Sequence, residues 1–538
     1  MKKVIIFYPP FEGKNILKKR PPFPIGPLYL ASYLIKHGIE AEVKDFSYPF
    51  VMSKTTCPKN LETSRKMYLR YGNSDKEIKD WLKKNLKNYS EYIGVSSLMS
   101  SNYTGAYTLI KLIKEVNPKA VVILGGPHPS TDPEHAANYS GADYICLGEG
   151  EEVFRQFLTE KKENEFVLSV KNLKDKIHLN SVSKKAYIKN INLLPFPNRS
   201  ILLDDRKTEQ LYVTFSRGCP HACSYCVSHT IQNRKWRNKK INRIIKEILF
   251  YKEQWGVKKF IIEDDNPCPL KEGITFLKKL CKEIIKYSPK TKFSVSHGFP
   301  VYASADKELC NLLYKAGFRE MAFPLETTSP EVLKDMNKKN TINNWRKARK
   351  LWTYENAPPS LIILGYPFVE TIDTMLKTIK DVSEVKSRIW AGWFRLYKGT
   401  KLFDRCVKAG YVKQNYDSIN SQSFFIETER FKIKDLKDLM QITKGVNFTV
   451  EEGFDIFNET IESKSFNSFT FPKNIGDVIA KGKFGFNKGQ LIAASILLAK
   501  TGMLNGKPMT TFNKDKTKII YTGVQKSNVY SKINQIKK

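Results

Sequence analysis

Leu211-Tyr-Val-Thr-Phe-Ser-Arg-Gly-Cys219-Pro-His-Ala-Cys223-Ser-Tyr-Cys226 is the stretch from which the rest of the chain can be read. Residues 211–215 are strand-like, and Ser216-Arg217-Gly218 leads into the first thiol. The cysteines therefore sit on the loop at the carboxyl end of a buried strand. Three thiols at a C-x3-C-x2-C spacing can hold three irons of a four-iron cluster and leave the fourth iron without a protein ligand. That iron is open to a substrate, whereas a cluster held by four cysteines is suited to carrying electrons. His229, three residues beyond Cys226, leaves a second arrangement open, a Cys3His zinc tetrahedron. Spacing alone suits either metal, and the position after a strand in a long chain favours the cluster. Cys57, Cys146, Cys268, Cys281, Cys310 and Cys406 stand singly and read as buried, inert thiols, with Cys268 closest to a strand end.

With Tyr225 just before the last cysteine, this stretch resembles the signature of the radical S-adenosylmethionine (SAM) superfamily. The composition is compatible with such an enzyme. A chain of 538 residues, 41% apolar and 12% aromatic, has enough core for two or three domains. Nine cysteines without paired spacing, three of them committed to metal, suit a reducing compartment, and a cytoplasmic location is expected. The opening apolar run is too short for a signal peptide, and residues 491–498 make about half a membrane span, so no transmembrane segment is expected. The net charge of +36 raises nucleic acid as a partner. Its lysines are spread along the chain, which favours solvated faces, although residues 506–538 hold eight lysines against the single acid Asp515.

Upstream, strand-like and helix-like stretches alternate. Strands are expected at 3–7, 41–45, 92–96, 120–124 and 144–147, and helices at 27–37 and 105–116, with a lysine-rich helix ending near 88. A polar insertion is expected at 51–74. This alternation implies a doubly wound, flavodoxin-like parallel sheet with ligand loops at the carboxyl ends of its strands. Ser96-Ser97-Leu98 follows the third strand and Gly125-Gly126-Pro127-His128 the fourth, with twenty-six residues between Leu98 and Gly125. Small residues there let a nucleotide tail thread closely past the backbone. A flavodoxin-like domain with a plain Gly-Gly turn has the same spacing. Together with the cysteine motif, residues 1–410 resemble the cobalamin-dependent radical SAM enzymes. That resemblance implies a cobalamin site at Pro10, Ser96, Ser97, Leu98, Gly125, Gly126, Pro127, His128, Gly148 and Glu149. Pro10 stands where the family's D-x-H-x-x-G carries its cobalt-ligating histidine, and proline has no side-chain lone pair. Cobalamin without a histidine lower ligand is the expectation, with His128 a loop hydrogen-bonder.

Downstream, residues 161–205 read as a charged linker, stiffened by Pro195 and Pro197. Six strand-helix units follow across 206–410, with strands at 211–215, 259–262, 292–296, 320–325, 360–364 and 390–396. Six are too few for a closed eight-unit barrel, so a partial (β/α)6 barrel is expected. By resemblance, Tyr225, Glu263, Asp264, Ser296, Glu326 and Gly365 contact SAM: Glu263 and Asp264 its amino group, Ser296 its carboxylate, Glu326 its ribose or amino group. Helix capping competes with ligand binding at each acid and is favoured for Asp265 and Thr328. His297, Tyr366 and Arg395 are placed near the substrate. Residues 411–538 read as a mostly helical region, with helices at 435–454 and 490–503, that caps the barrel and ends in a basic tail.

The resemblance implies a [4Fe-4S] cluster on Cys219, Cys223 and Cys226, SAM and cobalamin as cofactors, and an electron donor such as ferredoxin or flavodoxin. SAM is cleaved reductively to a 5′-deoxyadenosyl radical, which takes hydrogen from an unactivated carbon. A methyl group then passes from methylcobalamin to that carbon. The substrate is a small molecule, lipid or peptide. Ring formation or rearrangement without methyl transfer, an RNA-modifying enzyme and a zinc-binding scaffold are the alternatives.

Overall fold

The computed structural model describes residues 3–13, 23–55, 68–178, 185–352 and 358–413, apart from 101, 205, 207–208 and 386, and parts of 416–447. Three short strands beyond, Ser468–Thr470, Thr510–Phe512 and Lys518–Tyr521, form an antiparallel sheet. The expected helix at 490–503, and most of the one at 435–454, lie outside the described residues, as does Cys57.

The N-terminal sheet runs Ala41–Asp45, Val4–Tyr8, Tyr92–Ser96, Val121–Gly125, Tyr144–Cys146, all parallel. Its two faces carry different apolar clusters. Val4 and Ile6 pack with Leu28, Leu34 and Phe154 on one side, and Ile5 and Phe7 with Ile78, Leu82 and Ile110 on the other. Helices on both faces explain the near-continuous burial of Val4–Tyr8. Chain order reverses between Val4–Tyr8 and Tyr92–Ser96, which opens a crevice at their carboxyl ends.

Two segments depart from expectation. The polar insertion supplies strands Met52–Thr55 and Tyr68–Tyr71, which pair antiparallel and carry Phe11–Gly13 as a third strand. The segment read as a linker is partly built into the domain. Val167–Ser169 adds an antiparallel edge strand, and Ala186 bridges to Gly148. Charged flanks hid a three-residue apolar strand too short to show a period.

The second half holds a four-stranded parallel sheet, Gln210–Val213, Lys259–Ile262, Lys292–Val295 and Phe318–Glu320, and a three-stranded one, Phe323–Glu326, Ser360–Leu364 and Ile389–Trp393. The expected fourth strand is thus broken at Met321-Ala322, and each half joins a different sheet. The first strand stops at Val213, and Ser216–Arg217 instead pairs antiparallel with Arg237–Asn238. That ribbon closes the base of the cysteine loop.

Buried polar contacts lock the halves together. Tyr29, from helix Ile25–Lys36, donates to Glu247 Oε1 (3.1 Å) and accepts from Lys239 Nζ (2.8 Å), which also meets Glu247 Oε2 at 2.6 Å. Asp45, at the end of its strand, receives Arg206 Nη2 at 2.7 Å. A single apolar cluster continues from Ile6 and Leu28 through Leu211 to Phe260 and Phe293. No helix among the described residues is long and apolar enough to cross a membrane.

Candidate active site

Backbone geometry sets the cysteine loop. Gly218 has φ +82°, and a Cβ there would stand 2.3 Å from the carbonyl oxygen of Lys235, so the ribbon can close only over glycine. Cys219, Cys223 and Cys226 follow, all free and half-buried. Several contacts tie the loop to the far sheet. Ser224 N–H reaches Met336 O (2.9 Å), its hydroxyl lies 3.0 Å from Tyr366 Oη, and Asn337 Nδ2 donates to Ala222 O at 2.9 Å. Burial pushes the Cys223 thiol up to about 11, with Lys338 opposing that rise. Among the described residues no three His, Cys, Asp or Glu side chains, the three cysteines included, are gathered closely enough to hold a single metal ion.

The strand ends of the barrel sort into open and committed groups. Glu326 closes strand Phe323–Glu326 at φ +68°. Its Oε1 accepts Tyr225 Oη (3.1 Å) and Lys338 Nζ (2.6 Å), while Oε2 is buried with no hydrogen-bond partner among the described residues. Asp265 Oδ2 is likewise buried and unpartnered. Asp265 does not cap a helix, because the next helix starts at Leu270. Nor does Thr328: Ser329 caps Pro330–Asp335, and Thr328 bonds to Thr378. Glu263 faces His297 at 3.1 Å, and that pairing raises the imidazole pKa against the opposing effect of burial.

Two of the expected SAM contacts, Asp264 and Gly365, are occupied by the chain itself. Asp264 is fully buried and accepts Phe215 N–H (2.8 Å) and Ser216 Oγ (2.6 Å), one on each oxygen. It fixes the entry to the cysteine loop instead of facing a ligand, and burial lifts its carboxyl to about 7. Gly365 has φ +89°, but the group that approaches it is Leu436, whose Cδ1 would lie 2.9 Å from an added Cβ. Ser296 is exposed at its strand end, with its hydroxyl donating to Ile262 O at 3.0 Å. Tyr366 is also buried, donating to Asp335 Oδ2 at 2.8 Å, so it supports the cysteine loop and not a substrate. Arg395 is exposed.

At the N-terminal strand ends, the two small-residue loops pack on each other. Gly126, at φ +109°, leaves no room for a Cβ, which would stand 2.7 Å from Ser97 O. Gly125 has no such constraint, its nearest neighbour being Cys146 Cβ at 3.5 Å. Ser97 Oγ and Tyr8 Oη, at or just past the ends of adjacent strands, are buried without partners among the described residues. Pro10 is buried, its carbonyl against Gly105. His128 is the loop hydrogen-bonder the sequence suggests, while Gly148 and Glu149 depart from the expected cofactor role. His128 is fully buried, with Nδ1 3.0 Å from Ser100 Oγ and Nε2 2.8 Å from Tyr107 Oη, so neither nitrogen is available. Burial and the neighbouring His135 depress its pKa. Gly148 makes room for Ala186, whose carbonyl oxygen would lie 2.3 Å from a Cβ. Glu149 is held by Arg237 through two bonds (2.8 and 2.9 Å) and by Ile188 N–H, with Arg217 nearby.

Comparison with known proteins identifies both halves. Residues 213–382 match the Radical SAM superfamily, and residues 73–158 match the B12 binding domain. The chain therefore contains a radical SAM domain and a B12-binding domain. It is 24% identical to cytidylyl-2-hydroxyethylphosphonate methyltransferase of Streptomyces wedmorensis, across 72% of this chain and 79% of that protein. It is 25% identical to bacteriochlorophyllide d C-12(1)-methyltransferase of Chlorobaculum tepidum, across 42% of this chain and 46% of the relative. The fold is shared with the radical SAM methyltransferase TsrM of Kitasatospora setae (TM-score 0.56, 16% identity, 76% of this chain and 78% of that one). It is also shared with the cobalamin-dependent radical enzyme OxsB (TM-score 0.62, 14% identity, 93% and 73%).

The residues present fit these groups. Three free thiols share one loop, a bare carboxylate oxygen lies beside them, and two bare hydroxyls stand at the crevice. Buried polar atoms without partners are rare in folded proteins, and a bound ligand or an ordered water completes their bonding. The sequence reading missed Lys338, which stands in a lysine-rich run, and the arginines Arg217 and Arg237, whose role depends on carboxylates more than sixty residues away.

Proposed function

We propose that this chain is a C-methyltransferase that uses SAM, a [4Fe-4S] cluster and cobalamin to methylate an unactivated carbon of a small molecule. One observation carries the reading. Helix Ser228–Gln232, which begins two residues after Cys226, packs against helix Pro127–Thr131, which begins directly after Gly126. A Cβ on Gly399 would meet Thr131 O at 3.2 Å and Thr230 Cγ2 at 3.6 Å, and Lys398 Nζ lies 3.4 Å from Asp132 Oδ2. The cysteine loop and the small-residue loops therefore meet along one seam, as sequential use of two cofactors on one substrate carbon requires.

When bound, these groups supply the radical and the methyl carrier. The chain's own residues hold and enclose them. Cys219, Cys223 and Cys226 would hold the cluster, and Tyr225, Glu326 and Glu263 would line the SAM side. Ser96, Ser97, Leu98, Gly125, Gly126 and Pro127 would cradle cobalamin, and Pro10 has no side-chain lone pair to give a metal. A one-electron donor of the ferredoxin or flavodoxin type would supply the reducing electron. Methyltransferase names among the relatives, attached to a nucleotidyl phosphonate and a chlorophyll-type pigment, support a small-molecule substrate.

The test is an anaerobic turnover of reconstituted protein with cobalamin, a candidate substrate and SAM deuterated in its methyl group. Equal amounts of S-adenosylhomocysteine and 5′-deoxyadenosine, with deuterium in the product, are expected. Formation of 5′-deoxyadenosine without S-adenosylhomocysteine would overturn the methyltransferase reading.

A further inference from the structure

We propose that the groove between the ribbon strand Arg237–Asn238 and helix Leu270–Tyr287 is the docking surface of an acidic one-electron carrier protein that reduces the cluster. This rests on the cluster assignment given above. It adds where the reducing partner binds and what its surface carries.

The groove, of about 800 Å³, is lined by the half-buried rings of Trp236 and Phe276 and by the exposed Lys240, Lys271 and Lys279. The two rings meet edge to face, with centroids 5.5 Å apart. Its walls are the two elements that flank Cys219. On the ribbon side Arg217 pairs with Arg237, and a Cβ on Gly218 would stand 2.3 Å from Lys235 O. The backbone of Trp236 therefore runs beside the residue before Cys219, and paired antiparallel strands keep their Cα atoms about 5 Å apart. On the other side Asn266 Nδ2 lies 3.7 Å from Cys219 Sγ, on the loop that leads into helix Leu270–Tyr287. Other parts of the cysteine loop are held by the protein. Ser224 bonds to Met336 O, Tyr225 to Glu326, and helix Ser228–Gln232 packs on Pro127–Thr131. The groove thus lies one layer of chain from the first thiol.

Charge selects the partner's surface. Lys240, Lys271 and Lys279 form no ion pair among the described residues, whereas Lys278 and Lys282 on the same helix both pair with Glu308. Glu272 is the only acid among the lining residues, and Arg234 and Lys235 are exposed beside them on the ribbon. Helix Ile241–Trp255 also starts at the groove, without a side-chain cap or an acid in its first turn, so its dipole adds positive potential. Unpaired cations around an aromatic patch suit a partner with carboxylates at its rim and apolar contact at its centre. The place beside Cys219 then identifies that partner as an electron carrier. One electron leaves it and enters the cluster, with no bond or proton exchanged.

The experiment mixes cluster-loaded protein anaerobically with reduced flavodoxin, an acidic carrier, or with photoreduced 5-deazariboflavin, a small uncharged reductant. Freeze-quench electron paramagnetic resonance counts the reduced cluster. With flavodoxin the wild-type rate is expected to fall as salt rises, and K240E/K271E/K279E to slow it at least about tenfold at low salt, through loss of electrostatic steering. Reduction by deazariboflavin should be unchanged, which separates docking from damage to the cluster. K76E/K83E/K84E, on helix Asp75–Asn85, makes the same change of net charge elsewhere and should leave the flavodoxin rate near wild type. Equal slowing by both triple variants, or none by the groove variant, would overturn the proposal. If charge reversal prevents cluster loading, K240Q/K271Q/K279Q takes its place, and a wild-type flavodoxin rate and salt dependence in that loaded variant overturns the proposal in the same way. Wild-type protein whose cluster accepts electrons from deazariboflavin but not from flavodoxin also overturns it. Protein that binds no cluster refutes the wider functional reading instead.

Discussion

Replacing Glu149 by glutamine separates two roles that the sequence could not. In the structure Glu149 is a clamp: its carboxylate is about 4% exposed and takes two bonds from Arg237, at 2.8 and 2.9 Å, and one from Ile188 N–H. Arg237 belongs to the ribbon that closes the base of the cysteine loop, paired with Arg217. At 2.8 Å and an effective dielectric of 20, the direct attraction is about 6 kcal/mol. Part of it offsets the burial of both charges, and removing one partner of such a pair costs about 3–5 kcal/mol because the other charge is left buried and uncompensated. In E149Q the amide NH2 also faces the guanidinium, donor against donor. For a cooperative unit of 150–250 residues that loss lowers the melting temperature by roughly 6–20 °C. The assay is thermal unfolding followed by circular dichroism, beside iron content after reconstitution and cobalamin affinity by absorbance. Lower stability and lower iron content, with cobalamin affinity unchanged at a temperature where the variant is folded, are expected. An E149Q protein of wild-type stability with weakened cobalamin binding would refute the clamp and return Glu149 to the cofactor site.

Three other outcomes follow from the same geometry. G126A forces a glycine-only backbone conformation, costing about 1–3 kcal/mol, and drives a methyl group into Ser97 O, so cobalamin retention on gel filtration should fall. G125A, whose added carbon would meet only ordinary contacts, should retain cobalamin, and equal effects of the two changes would contradict the loop packing. Asp264 is protonated in the fold up to about pH 7 but ionises near 3.8 when unfolded, so the unfolded chain holds fewer protons between these values. Stability from this group therefore falls as pH rises across that window, by about 4 kcal/mol in full. D264N should flatten this slope in urea unfolding between pH 4 and 8, and an unchanged slope would remove Asp264 as its source. H128Q should leave the cob(II)alamin electron paramagnetic resonance spectrum as in wild type while lowering the melting temperature, since both ring nitrogens are engaged within the protein. Loss of a nitrogen coupling in H128Q would show that His128 binds cobalt.

What could be read in advance was local. The C-x3-C-x2-C spacing, the alternation of apolar strands with helices, and the small residues after the third and fourth strands each lie within one segment of chain. Their chemistry survives whatever the segment packs against. The break at Met321-Ala322 was hidden because residues 318–325 are apolar at both ends, and only pairing shows that the ends join different sheets. The acidic positions were harder still. Glu263, Asp264 and Asp265 are consecutive in sequence, yet one faces His297, one fastens Phe215 and Ser216, and one keeps a bare oxygen. No spacing rule distinguishes them, since a carboxylate's role depends on which donor reaches it.

The sequence alone determined that three thiols share a loop after a strand, and that a doubly wound domain precedes a partial barrel. Hydrophobic period and cysteine spacing are properties of neighbouring residues, so they can be read without a fold. Tertiary structure decided that Glu149 and Gly148 serve the chain's own packing, that Leu436 fills the space Gly365 leaves, and that Lys338 stands against Glu326. Each of those outcomes depends on a partner twelve or more residues away. Charge and space become specific only when folding brings that partner within bonding distance.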